Sequence, residues 1–109
     1  MNDIFQRKTY LIQQILARNQ YSQLYDLVVG VSKYSIGKPP LPTMTKEEEK
    51  CRQMAMFHLE FLTRFGDSSS EMEERGRQWF AYPVEFEKWL QIGSPGVSLE
   101  ELEECINDD

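Results

Sequence analysis

The sequence predicts an all-α fold, a compact single-domain bundle of five to six helices made of a helical hairpin, a long central helix and shorter C-terminal helices. Three observations carry that prediction. Apolar residues recur at helical spacing along most of the chain. Capping boxes, a Ser or Thr followed three residues later by Glu, stand before three of the helical segments. The one stretch that reads as a buried strand, 27–31, has no second strand of comparable quality to pair with.

The first segment, Asp3 to Arg18, is amphipathic, with Ile4, Phe5, Leu11, Ile12, Ile15 and Leu16 on one face. Asp3 suits the positive end of a helix dipole. The segment is basic, as a mitochondrial transit peptide is, but it lacks serine enrichment and runs straight into further structured sequence, so a structural helix is the preferred reading. Asn19 and Gln20 break the chain. A second helix is expected over Ser22 to Lys33, with Tyr21, Leu24, Tyr25, Val28 and Val31 sharing a face, although Gly30 and the β-branched valines weaken it. Residues 35–44 read as a Pro-rich loop. Its Pro39-Pro40-Leu41-Pro42 string fits a polyproline ligand, and on composition a stiff connector is the preferred reading.

Thr45 and Glu48 open the long helix, which runs to Phe65 and stops at Gly66. Cys51, Met54, Ala55, His58, Phe61, Leu62 and Phe65 line one face, and Phe57 and Leu59 widen it. Glu48 with Arg52 and Glu60 with Arg64 are spaced to pair along its flank. Ser70 and Glu73 cap a fourth helix that must end or bend before Pro83. Pro83 fits the first turn of a short fifth helix carrying Phe86, Trp89 and Leu90. Ser98 and Glu101 cap the last helix, 99–106, where Val97 and Leu102 are spaced as a hydrophobic staple. That helix is expected to turn Leu99, Leu102 and Ile106 inward and Glu100, Glu101, Glu103 and Glu104 outward.

One domain, 1–109, follows from length, because 109 residues are too few for two independent cores. An apolar share of 40% suffices to build one core without metal or disulfide staples. Cys51 and Cys105 read as half-buried thiols, with a long-range disulfide as the alternative. No export signal and no apolar run able to span a bilayer are visible, so a cytoplasmic location and no membrane contact are expected.

The charge is asymmetric. Residues 1–66 hold nine Lys/Arg against six Asp/Glu, a net of +3, whereas residues 67–109 hold three against twelve, a net of −9. Such a chain is a poor candidate for gripping phosphate backbones, and no direct nucleic-acid binding is expected. Lys33, Lys38, Lys46, Lys50 and Arg52, with Tyr34, form the one basic cluster, and Glu47 to Glu49 cancel most of its field.

No catalytic, cofactor or metal residue is assigned. The single histidine, His58, sits on an apolar stripe and reads as a packed ring at the core edge. Cys51, two helical turns back, lies about 10 Å along the axis, too far for direct proton transfer. One His and two remote Cys do not make a zinc set, and the glycines form no phosphate loop.

The feature that points to function is the acidic second half, above all the acidic region 98–109. The expected activity is non-enzymatic: a small acidic inhibitor, immunity or antagonist protein, or a regulatory adaptor, binding a basic surface of a larger nucleic-acid-handling protein. Glu71, Glu73, Glu74, Trp79, Glu100, Glu101, Glu103 and Glu104 are the candidate partner-binding residues. If the fourth and last helices lie side by side, their outer faces make one negative surface. Two alternatives stand beside this reading. One is a self-associating assembly subunit, a homodimer through apolar helix faces; the other is an enzyme or metal-binding protein using His58.

Overall fold

The computed structural model describes residues 3–37, 43–65 and 77–107, with the backbone alone at 65 and 77–83. Among the described residues there are five α-helices and no strand, as the capping and periodicity predict. They are α1 (Asp3–Ala17), α2 (Tyr21–Val29), α3 (Lys46–Phe65), α4 (Arg77–Gln91) and α5 (Leu99–Asn107), with a 3-10 turn at Lys33–Ser35. No described helix is long and apolar enough to cross a membrane.

Helix ends follow local chemistry. At α3, the Thr45 N–H donates to Glu48 Oε1 at 2.9 Å and the Glu48 N–H donates back to Thr45 Oγ1 at 3.1 Å, so two of the donors a helix start leaves unpaired are satisfied. At the end of α1, Asn19 takes a left-handed φ of 59°. Its N–H bonds Leu16 O and the Gln20 N–H bonds Ile15 O, the paired closure of a Schellman motif. The second helix stops earlier than expected. Gly30, at φ 89°, turns the chain after Val29, which leaves Val31 exposed and outside the helix. The expected extension to Lys33 is thereby corrected: the glycine that weakens the pattern is the residue that ends it.

Two further expectations are revised. A single helix spans Arg77–Gln91 and carries Pro83 within it, where a break or bend with a separate short helix was expected. The proline removes one hydrogen bond, to the carbonyl four residues back. Burial of Phe86, Trp89 and Leu90 beyond it keeps the helix as one element. On α3, Arg52 pairs with Glu49, not Glu48, because the Glu48 carboxylate is committed to the cap. The Arg64–Glu60 pair forms as expected, at 3.3 Å. The Ser70–Glu73 capping box and the prolyl string 39–42 lie outside the described residues.

The core joins Leu11, Ile12 and Ile15 of α1, Leu24, Leu27 and Val28 of α2, Ala55, Leu59 and Leu62 of α3, Phe86, Trp89 and Leu90 of α4, and Leu102 and Cys105 of α5. Val97 and Leu102 are both fully buried, as a staple requires. Cys51 and Cys105 are buried thiols with no disulfide between them. α1 and α2 are joined by a short turn, but each has a larger neighbour: α1 packs mainly along α5, while α2 and α4 pack mainly on α3. The first and last described helices are therefore laid together, and that pairing positions the candidate site.

Candidate docking surface

α5 is short, and its two faces differ sharply. Leu102 and Cys105 face the core, and Glu100 and Glu104 are exposed. Glu103 is half-buried, with its carboxylate 3.8 Å from the Arg7 guanidinium of α1. Arg18, at the other end of α1, donates to the Ile106 carbonyl at 3.2 Å. Glu104 and Asn107 border a shallow depression with Lys33 and Tyr34, where the Lys33 ammonium lies 5.2 Å from the Tyr34 ring centroid.

Glu101 does not join this outer face. It is only 5% exposed, which corrects the expectation that it points outward with its neighbours. One carboxylate oxygen accepts from the Ser98 N–H at 3.2 Å and from Ser98 Oγ at 3.0 Å. The other accepts from Ser35 Oγ at 2.8 Å, sixty-six positions away. The capping box turned the side chain back toward its own helix start, and the 3-10 turn then covered it. The signal was present in the sequence: a glutamate recruited to a cap cannot also serve as an outward charge.

Beneath Glu101 lies a residue that periodicity alone should have flagged. Lys8 sits on the same α1 stripe as Leu11, Ile12 and Ile15 and is 8% exposed. Its ammonium donates to Gly93 O at 2.7 Å and to Ser94 O at 3.0 Å, both just beyond the end of α4. Burial pushes the Lys8 amine down to about 8, and the nearby charge of Glu101 opposes that fall. Gly93 itself, at φ 100°, holds a backbone that other residues rarely adopt, and a Cβ there would displace the Phe5 ring, which it would meet at 2.6 Å. The connector is tied further by the Trp89 indole N–H, which donates to Pro95 O at 2.9 Å.

The remaining predicted site residues fall elsewhere. Glu71, Glu73 and Glu74 lie outside the described residues, and at Trp79 only the backbone is described. The described part of α4 packs mainly on α3, and α5 packs mainly on α1. The expected shared face with the fourth helix rests on Glu71, Glu73 and Glu74 and so falls outside the described residues; the acidic side chains described at this site are those of α5. His58 is buried with its ring centroid 4.8 Å from that of Phe86. No group of three or more metal-ligating side chains occurs among the described residues. In the basic cluster, Arg52 is spent on Glu49 and on the Val28 carbonyl, and the Glu49 carboxyl is held below its ordinary range chiefly by the Arg52 hydrogen bond. No protein-family model, curated protein or solved structure matches the chain.

Proposed function

We propose that the protein is a non-enzymatic interaction module, a small acidic inhibitor, immunity or antagonist protein or a regulatory adaptor, that covers a basic surface of a larger nucleic-acid-handling partner with the outer face of α5. One observation supports this above the others. Glu100, Glu103 and Glu104 project from a single short helix whose opposite face is anchored in the core by Leu102 and Cys105. Charges mounted on a fixed element can complement a partner's basic patch without paying for loop ordering, and they steer the encounter. A partner surface built to hold phosphates would meet carboxylates in their place.

The test is a triple substitution, Glu100→Gln, Glu103→Gln and Glu104→Gln, leaving the structural Glu101 in place. Affinity for the partner recovered by purification from the native host should fall at least about tenfold, and the salt dependence of association should flatten. Unchanged affinity and an unchanged salt slope would remove α5 as the docking face.

A second reading, self-association, is favoured by Ile4, Phe5, Tyr10 and Ile92, which are exposed. Phe5 and Tyr10 also border a shallow depression against Leu90. The same triple variant separates the two readings, because self-association through that apolar end would survive it.

A further inference from the structure

We propose that the first two turns of α1 are a latch, closed by Lys8 on the carbonyls of Gly93 and Ser94, that opens apart from the core and is set by whether Lys8 carries its proton. The proposal goes beyond the docking function and stands without it.

α1 changes character along its inner stripe. Its second half is fixed by Leu11, Ile12 and Ile15, all buried. In the first half Ile4 is 61% exposed and Phe5 39% exposed, and the inward position belongs to Lys8. These turns are therefore held by one cation on two carbonyls, by one ring laid over Gly93 and by the surface pair of Arg7 with Glu103. The fully buried apolar anchors of α1 all lie beyond these turns, which is what permits a local opening cheaper than global unfolding.

Protonation bears on the closed form for a geometric reason. Closing leaves Lys8 8% exposed, so the ammonium gives up most of its water for two carbonyl acceptors, a loss of hydration that a neutral amine hardly feels. The other charges around it are engaged elsewhere. Arg7 on α1 lies against Glu103 of α5, and Arg52 of α3 pairs with Glu49 while its stem packs on Gly96. Glu101 is the charge that acts on Lys8, and it favours the ammonium less strongly than burial disfavours it.

In the opened latch the amine returns to water and to its ordinary 10.5, against about 8 when closed. The open form thus binds more protons between those values, so the opening equilibrium falls as pH rises. Linkage gives a fall of about tenfold from pH 7 to pH 9, levelling off below pH 7. Opening also withdraws Arg7 from the Glu103 carboxylate of α5.

Millisecond hydrogen exchange read by mass spectrometry at pH 7, 8 and 9, corrected for intrinsic rates, tests the latch. Amides of residues 7–10 are expected to be protected at least about tenfold less than those of 55–62 in α3, and to gain about tenfold in protection from pH 7 to pH 9. In Lys8→Met, which neither donates nor titrates, protection of 7–10 should be independent of pH. Protection equal to that of α3, a flat wild-type profile, or a gain that persists in Lys8→Met overturns the proposal. If Lys8→Met does not fold, the wild-type profile and its contrast with α3 decide alone.

Discussion

Two helices of this protein begin with the same four-residue device and put it to different uses. At α3, Thr45 and Glu48 exchange hydrogen bonds at the surface, and no other described side chain is bonded to either side chain. At α5, Ser98 and Glu101 make the same exchange, but the glutamate is buried, bonded to Ser35 and within the field of Lys8. The first cap starts a helix. The second also joins the 3-10 turn, the α4–α5 connector and α1. A local motif therefore has a fixed local meaning, while its energetic weight is set by what the fold lays over it.

That contrast can be broken by substitution. Glu101→Ala removes the acceptor for Ser98 and Ser35, together with the nearby charge that favours the Lys8 ammonium. It should cost about 2–3 kcal/mol of unfolding free energy in urea titration, the upper part of the range for leaving buried donors without their acceptor. A loss below about 1 kcal/mol would show that the buried network carries no special weight.

The next effect in size is on pH. The unfolded chain holds the Lys8 proton up to 10.5 and the folded chain only up to about 8, so the unfolded state binds more protons between those values. Stability from this group is lowest below pH 8 and rises toward pH 10.5. Relative to Lys8→Met, the wild type should gain about 2 kcal/mol between pH 7 and pH 10, measured as the difference in urea midpoints. A gain of opposite sign would mean that Glu101 outweighs burial. The smallest effect belongs to the surface cap, where Glu48→Ala should cost about 1 kcal/mol or less and show no dependence on pH between 7 and 10.

Much of the architecture was legible because it is written locally. The Thr45 and Ser98 boxes and the apolar spacing of α3 each act within one or two turns of their own residues, whereas Gly30, equally local, read only as a weakness in a helix that it in fact ends. Pro83 misled for the same reason: its local rule is real, but burial of Phe86, Trp89 and Leu90 keeps the helix together. The Lys8 contact links positions 85 apart, and no periodicity can announce its partner. The stripe 8, 11, 12, 15 did say that Lys8 faces inward, and the Ser98 box did say that Glu101 turns back. Of the acidic candidates, Glu100, Glu103 and Glu104 remain at the surface, and the residue with the richest bonding among them proved structural.

The pairing of α1 with α5 has a consequence for how the chain acquires its fold. α1 emerges from the ribosome before its main partner, which follows some 80 to 90 residues later; the Arg18 bond to Ile106 alone spans 88 positions. At ordinary elongation rates that interval is roughly 5–20 s. During it Leu11, Ile12 and Ile15 can find only provisional cover from α2, and Lys8 stays hydrated with its proton in place. Sequestering the lysine therefore waits until the α4–α5 connector and α5 have been made, and a nascent chain stalled before Glu101 would keep the sticky face of α1 available to chaperones.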